Sequence, residues 1–161
     1  MRIFRVIVPV SDIGAARSFY EQVLGVSGRE ISPGRCYFDC QGTILACFDP
    51  RADGDGYDAR PNPEPVYLAV DDLEAVFDAC RRAGASFSSE APPGVGALGE
   101  IAQRPWGEVS FYVSDPFGNG LQGLRPARFD DFMQGSWCHG RHPTAVAAVA
   151  INQWPRPARK R

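Results

Sequence analysis

Histidine is scarce in this chain. The only two, His139 and His142, lie near the C-terminal end, outside the stretches that have a regular strand or helix pattern. Ser-His-Asp triads need a histidine in the folded core, and most zinc sites use histidine or clustered cysteine. The patterned part of the sequence therefore excludes a histidine-based hydrolase and offers no typical metal centre.

Long apolar runs and an excess of one charge are also missing. No stretch approaches the roughly 20 apolar residues of a membrane helix, and the N-terminus has no apolar segment typical of a signal peptide. The net charge is only -2 but unevenly placed, because 1–125 carry 11 Arg or Lys against 17 Asp or Glu, whereas 126–161 carry six against two. We expect a soluble, cytoplasmic protein with neither nucleic acid nor a membrane as its partner.

The cysteines do not form a redox or metal pattern. They are odd in number and include no C-x-x-C pair, which favours reduced, structurally buried thiols. The five are Cys36, Cys40, Cys47, Cys80 and Cys138.

The first part of the chain has a strand and helix pattern with clear ends. Residues 3–10 have strand composition, Asp12 stands at a helix N-cap position, and Gly25 is placed to end that helix. Two further strands are predicted around Cys36–Cys40 and Thr43–Phe48. Residues 49–64, rich in Gly, Pro and Asp, are predicted to form a mobile surface loop.

The same order then begins again. The segment Val10-Ser11-Asp12-Ile13 recurs as Val70-Asp71-Asp72-Leu73, and Asp39-x-x-Gly42-x-x-Leu45 recurs as Asp115-x-x-Gly118-x-x-Leu121. The second offset is longer, which fits an insertion at 91–105. The sequence thus predicts an α+β domain of two β-α-β-β-β units. Its parts are repeat one at 1–48, the loop at 49–64, repeat two at 65–125, and a basic C-terminal extension at 126–161.

One stretch carries a specific resemblance. Residues 104–122 read R-P-W-G, then F-Y-V-S-D-P-F-G-N, and residues 19–25 read F-Y-E-Q-V-L-G. These resemble motifs of the vicinal-oxygen-chelate superfamily, which includes glyoxalases, bleomycin-resistance proteins and extradiol dioxygenases. The resemblance covers about residues 1–125. It implies two units whose curled, mixed sheets surround a concave cavity.

In metal-using members of that superfamily, each unit supplies two ligands. The corresponding positions here are Arg5, Ala46, Pro65 and Gln122. Only the amide oxygen of Gln122 could coordinate a cation, so we expect neither a metal nor another cofactor. A register error of one residue would instead bring Cys47 and Glu64 next to vacant positions. That alternative keeps open a lyase, isomerase or dioxygenase with a non-standard metal site.

A cavity without a metal can still bind a small molecule. If Phe111 and Val113 face the core, as the resemblance implies, alternation sends Ser110 and Tyr112 toward the cavity. Arg5 would offer a cation to a carboxylate or phosphate, and the aromatic residues would offer stacking surfaces. The predicted ligand-binding residues are Arg5, Ile7, Tyr67, Trp106, Ser110, Tyr112 and Gln122. The alternative is structural: Arg5 would pair with a carboxylate such as Glu108, and Trp106 would pack at a subunit interface.

The leading functional hypothesis is metal-independent binding of a small aromatic or anionic molecule by a homodimer, as in sequestration proteins similar to bleomycin-resistance proteins. Catalysis is not expected, and Glu108 is the one candidate for a general base. Besides the metalloenzyme, a regulatory module whose cavity is filled by its own side chains remains open. The segment 126–161 is either an unstructured extension or a strap across a neighbouring subunit.

Overall fold

A computed structural model describes residues 1–88 and 97–125. This part of the chain contains two helices and nine strands. In chain order they are β1 (Arg5–Pro9), α1 (Ile13–Leu24), β2 (Arg29–Ser32), β3 (Arg35–Cys40), β4 (Thr43–Phe48), β5 (Val66–Ala69), α2 (Leu73–Arg82), β6 (Ser86–Phe87), β7 (Ala102–Gln103), β8 (Val109–Ser114) and β9 (Gly120–Leu124).

Helix α1 begins and ends where the sequence predicts. The side chain of Asp12 accepts a hydrogen bond from the backbone N–H of Ala15 at 2.8 Å, and Gly25 ends α1 with a φ of 67°. Asp72 caps α2 in the same way through Ala75, at 2.9 Å. These bonds satisfy backbone donors that have no partner within the first helical turn. The segment that recurs at Val10–Ile13 and Val70–Leu73 therefore marks the start of a helix in each unit.

The strands form two mixed sheets, which confirms the predicted α+β class. Sheet A has the order β1-β4-β3-β2, with β1 parallel to β4. Sheet B has the order β5-β9-β8-β6, with β5 parallel to β9 and with β7 also paired to β8. Each sheet thus comes from one sequence unit and joins that unit's first and last strands side by side.

The first unit has the predicted β-α-β-β-β order, and the second unit has one strand more. The sequence pattern did not locate β2, because Arg29–Ser32 is polar and largely exposed. In the second unit, two short strands, β6 and β7, both pair with β8 along different parts of its length. The predicted insertion at 91–105 thus contains β7. Its residues 91–96, like the predicted extension 126–161, lie outside the described part of the chain.

One apolar core unites the two units. Helix α1 packs on β3 and β4, and α2 packs on β8 and β9. The core includes Phe38 and Cys47 from sheet A, and Phe111 and Val113 from sheet B. Between the units, the Tyr20 hydroxyl on α1 donates a 2.7 Å hydrogen bond to Asp115 in the turn that joins β8 and β9.

The strands therefore present alternate side chains to the helices and to the other side of each sheet. We call the second side the helix-free face. On sheet A it carries Arg5, Ile7, Tyr37, Ala46 and Phe48, and on sheet B it carries Tyr67, Ser110, Tyr112 and Gln122. Among the described residues, no helix is long and apolar enough to cross a membrane.

The linker at 49–64 contains no strand or helix, as expected, but its first part is attached to sheet A. The Asp49 N–H donates to the Gly34 oxygen at 2.8 Å, and the Asp49 side chain accepts hydrogen bonds from the linker's own backbone at Arg51 and Ala52. Asp53 pairs with Arg35 at 2.7 Å and accepts a hydrogen bond from Ser32. These contacts bind the start of the linker to the hairpin of β2 and β3.

Candidate functional site

Three side chains lie side by side on the helix-free face of sheet B. The strand register pairs Tyr67 with Gln122 and Gln122 with Tyr112, so the glutamine lies between the two tyrosines. A side-chain hydrogen bond joins the tyrosines, and burial is the main cause that raises the pKa of both phenols. Gln122 is fully buried, whereas 54% of Tyr67 is exposed. Tyr67 is therefore the side of this group that solvent reaches.

The orientation of the Gln122 amide is fixed by an anion. The indole N–H of Trp106 donates to Glu108 Oε2 at 2.7 Å, and Gln122 Nε2 donates to the same oxygen at 3.3 Å. A flipped amide would place its oxygen against the carboxylate, which is repulsive. In the fixed orientation, Gln122 Oε1 is buried and has no hydrogen-bond partner.

Arg5 is held on sheet A by aromatic rings. Its guanidinium lies 4.5 Å from the centre of the Tyr37 ring and 5.5 Å from that of Phe4. Its Nε is buried without a hydrogen-bond partner, and among the described residues it forms no ion pair within 4.0 Å. The alternative pairing of Arg5 with Glu108 does not occur, since Glu108 is bound to Trp106 and Gln122.

Ser110 has a different environment from the other predicted ligand-binding residues. It is fully buried, and Arg104 donates to its hydroxyl at 3.1 Å and to its backbone oxygen at 2.7 Å. Arg104 also donates to the backbone oxygens of Leu98 and Glu100, and its guanidinium lies 5.4 Å from the Tyr112 ring centre. Sequence reasoning assigned no role to Arg104. Its place in the R-P-W-G motif was the available signal.

The predicted site residues thus fall into two groups. Tyr67, Ser110, Tyr112 and Gln122, with Trp106, belong to sheet B, whereas Arg5 and Ile7 belong to sheet A. The sheets are joined nearby through two asparagines. Asn62 Nδ2 donates to the Ile7 oxygen at 2.9 Å, Asn119 Nδ2 donates to the Pro9 oxygen at 2.8 Å, and the Asn62 N–H donates to Asn119 Oδ1 at 3.0 Å.

The side chains at the four metal-ligand positions do not fit a divalent metal. Arg5 brings a positive charge, Ala46 and Pro65 have no donor atoms in their side chains, and Gln122 supplies a single neutral oxygen. Such ions need several anionic or imidazole donors at one point. Among residues 1–88 and 97–125, no three His, Cys, Asp or Glu side chains are grouped in a way that could hold one.

Cys47 and Glu64, the alternative ligands under a register error of one residue, do not lie on the helix-free face beside Gln122. Cys47 is fully buried in the core on the helix side of sheet A, and burial raises the pKa of its thiol well above the ordinary value. Glu64 is exposed at the end of the linker. A register error of one residue therefore does not restore a set of ligands around Gln122.

A cavity of about 770 Å³ lies between the linker and sheet A. Sheet A contributes Ile7, Pro9 and Phe48, and the linker contributes Arg51, Tyr57, Asp58 and Arg60 among others. Of the predicted ligand-binding residues, only Ile7 lines it. Sequence reasoning missed this cavity because it treated the linker as a mobile segment without contacts.

Comparison with known proteins identifies relatives of this arrangement. A sequence profile of the Glyoxalase/Bleomycin resistance protein/Dioxygenase superfamily matches residues 2–122. No curated protein sequence matches significantly.

Several solved structures share the fold. A glyoxalase/bleomycin resistance protein from Albidiferax ferrireducens T118 is 20% identical with a TM-score of 0.59, over 78% of this chain and 98% of that one. Oxidase ChaP-H2 is 24% identical with a TM-score of 0.59, over 79% and 94%. A lactoylglutathione lyase from Agrobacterium tumefaciens is 21% identical with a TM-score of 0.54, over 77% and 92%. At these identities the likeness establishes the fold alone.

Proposed function

Because the chain belongs to the Glyoxalase/Bleomycin resistance protein/Dioxygenase superfamily, we propose that it uses the superfamily's cavity to bind a small molecule without a metal ion. The ligand carries an anionic or hydrogen-bond-accepting group for Arg5 and a donor group for Gln122. Aromatic side chains next to these two residues favour a planar body. Binding, rather than turnover, is the activity that these residues support.

One observation carries the proposal. Among the described residues, two buried side-chain atoms lack a hydrogen-bond partner, namely Arg5 Nε and Gln122 Oε1. Both residues occupy positions that hold the metal in metal-using members of the superfamily. An unpartnered buried polar group destabilises a protein by about 1–3 kcal/mol. A ligand that satisfies both atoms recovers that free energy on binding.

The charge of Arg5 and the neutrality of Gln122 support the same proposal. An arginine where a cation would otherwise bind repels a metal and attracts an anion. Stacking on Tyr37 restricts the guanidinium, so less side-chain entropy is lost when a carboxylate binds. On the other sheet, Gln122 is neutral and already gives its N–H to Glu108. Its buried Oε1 has no partner and can accept a hydrogen bond, which favours a ligand with an N–H or O–H group.

A panel of 2-, 3- and 4-aminobenzoate tests this pairing, because it varies the spacing between the carboxylate and the donor. Benzoate lacks the donor, and aminobenzamide lacks the charge. We expect Arg5→Gln to weaken aminobenzoate and benzoate binding by about tenfold or more, as for a lost charged hydrogen bond. Gln122→Met weakens the binding of aminobenzoate and aminobenzamide but leaves benzoate unchanged. Arg82→Gln, an exposed arginine on α2, is the control, and calorimetric titration is the measurement.

Two results would contradict the proposal. One is aminobenzoate affinity that neither Arg5→Gln nor Gln122→Met changes. The other is a stoichiometric metal in untagged protein produced with Mn, Fe, Co, Ni and Zn and purified without chelators. The second result would favour a metalloenzyme with ligands outside the superfamily's positions.

A further inference from the structure

The cavity under the linker lies apart from Arg5 and Gln122, and its volume suits a small organic molecule. Ligand pockets generally measure about 300–1,000 Å³, and this one measures about 770 Å³. Neither Arg5 nor any predicted site residue of sheet B lines it. Whatever occupies it makes contacts that the proposed function does not use.

The floor of the cavity is apolar, and its aromatic ring is held by a neighbouring arginine. Phe48 and Ile7 come from the helix-free face of sheet A, and 48% of Ile7 is exposed although it is aliphatic. The Phe48 ring is held by the guanidinium of Arg35, 4.4 Å from its centre. Arg35 is in turn fixed by Asp53 at 2.7 Å. Tyr57 adds a second aromatic ring from the linker, and 55% of it is exposed.

The charged lining is predominantly positive. Arg51 and Arg60 carry two positive charges against one negative charge on Asp58. Arg51 forms an ion pair with Asp58. Asp58 has its pKa lowered mainly by that hydrogen bond with Arg51, and Arg60 lowers it further through its charge. Arg60 lines the same cavity and, in the part of the chain that the structure describes, forms no ion pair within 4.0 Å, so one positive charge in this group remains uncompensated.

The linker is attached at both ends of the cavity. Its start is bound to sheet A by Asp53, which pairs with Arg35, and by the Asp49 N–H, which donates to the Gly34 oxygen. Asn62 binds its end to the Ile7 backbone and to Asn119. A wall that is already ordered loses little entropy when a ligand binds.

From these features we propose a second binding site, between residues 50–60 of the linker and the helix-free face of sheet A, for a hydrophobic aromatic anion. The aromatic body lies on Phe48 and Ile7 and beside Tyr57. The anionic group binds Arg60 and shares Arg51 with Asp58. This site goes beyond the proposed function, because it requires neither Arg5 nor Gln122.

The probe is 1-naphthoate, and 1-naphthamide is its uncharged counterpart of nearly equal shape. Because 1-naphthoate can also bind at Arg5, the titration uses the full chain carrying Arg5→Gln. Calorimetric titration of this variant is expected to give saturable 1-naphthoate binding at 1:1 stoichiometry and weaker binding of 1-naphthamide. Arg60→Gln lowers the affinity for 1-naphthoate several-fold and leaves that for 1-naphthamide unchanged. Asp58→Asn has the opposite effect on affinity and strengthens 1-naphthoate binding, because it removes the carboxylate that competes for Arg51. Added salt weakens 1-naphthoate binding.

Two controls separate this site from the one in the proposed function. 1-Naphthoate still binds to the Arg5→Gln protein, and adding Arg82→Gln leaves its affinity there unchanged. If Arg5→Gln abolishes binding while Arg60→Gln does not, the anion binds at Arg5 and the second site is wrong. Absence of saturable 1-naphthoate binding at millimolar concentration also overturns it, as does equal affinity for the acid and the amide. A titration with 1-naphthyl phosphate shows whether the site prefers a carboxylate or a phosphate.

Discussion

Gln122 is the residue of the candidate site whose contacts say most about its role. Its side chain is fully buried next to Glu108. A glutamine gives Glu108 a hydrogen-bond donor, and a carboxylate would repel it. The Glu108 carboxylate and the Gln122 amide therefore form a hydrogen-bonded pair, and the indole N–H of Trp106 holds the carboxylate in place.

The variant Gln122→Glu tests this dependence through pH. The introduced carboxyl has an ordinary pKa of about 4.3, and burial beside Glu108 raises its pKa in the folded state. The folded protein then binds the proton more tightly than the unfolded one, so the loss of stability is absent below about pH 4 and grows as the pH rises. A shift of two pKa units corresponds to about 2.7 kcal/mol.

Urea unfolding of Gln122→Glu at pH 4, 6 and 8 provides the measurement. Gln122→Met is the matched control, and we expect its stability deficit to stay nearly constant with pH. A deficit of Gln122→Glu that is equal at all three pH values would show that the introduced group does not ionise next to Glu108.

Among the elements, the hairpin of β2 and β3 has the clearest effect on its surroundings. Gly34 lies between its strands, and a Cβ there would be 2.4 Å from the Asp49 oxygen and 2.5 Å from the Asp53 nitrogen. Both atoms belong to the linker backbone and cannot rotate away. The missing side chain of one glycine therefore allows the linker to lie against sheet A and to form a wall of the cavity.

Gly34→Ala is expected to displace the linker and to destabilise the protein by about 1–3 kcal/mol, as overpacking does. The control is Gly14→Ala in the first turn of α1, where the nearest atom is a side-chain oxygen at 3.4 Å. It is expected to stabilise by about 0.5–1 kcal/mol, because alanine favours the helix. Thermal unfolding measures both, and limited proteolysis shows whether Gly34→Ala exposes residues 49–64. Equal stability of the two variants would contradict the close packing at Gly34.

At the scale of the whole molecule, a buried hydrogen bond connects the two units. Asp115 accepts from the Tyr20 hydroxyl and from the side chain and backbone of Asn119. Burial is the largest cause that raises the pKa of Asp115, and these hydrogen bonds partly oppose it. Asn119 continues the connection to Pro9 on sheet A.

Tyr20→Phe leaves the buried carboxylate with one donor fewer, so we expect it to destabilise the fold by about 1–3 kcal/mol. Tyr57→Phe removes the same atom from an exposed ring and is expected to change stability by less than about 0.5 kcal/mol. Urea unfolding of both variants is the measurement. If Tyr20→Phe is as stable as Tyr57→Phe, the bond to Asp115 does not hold the units together.

Much of the fold could be predicted because it depends on local signals. Asp12, Gly25 and Asp72 act on their own helices, and the family resemblance correctly places Phe111 and Val113 of β8 in the core. Contacts between distant segments could not be predicted in this way. The packing of the linker on sheet A depends on the absence of a side chain at Gly34. Strand β2 has no apolar face that would mark it as a strand in the sequence.

The candidate site shows the same limit. The sequence indicates which positions lie on the helix-free faces, but not their partners. That Arg5 stacks on Tyr37, that Arg104 binds Ser110, and that Glu108 orients the amide of Gln122 all depend on the folded arrangement. Each joins side chains whose sequence positions carry no signal of contact.

Alkylation of the buried cysteines provides a measure of local unfolding. Cys36 and Cys47 belong to sheet A and Cys80 to α2, and burial raises the pKa of each thiol, that of Cys80 to about 11. Alkylating reagents react with the thiolate, so labelling at these positions waits until the surrounding unit unfolds. Mass spectrometry of the labelled peptides then reports the opening rates of the first and second units separately in a single sample.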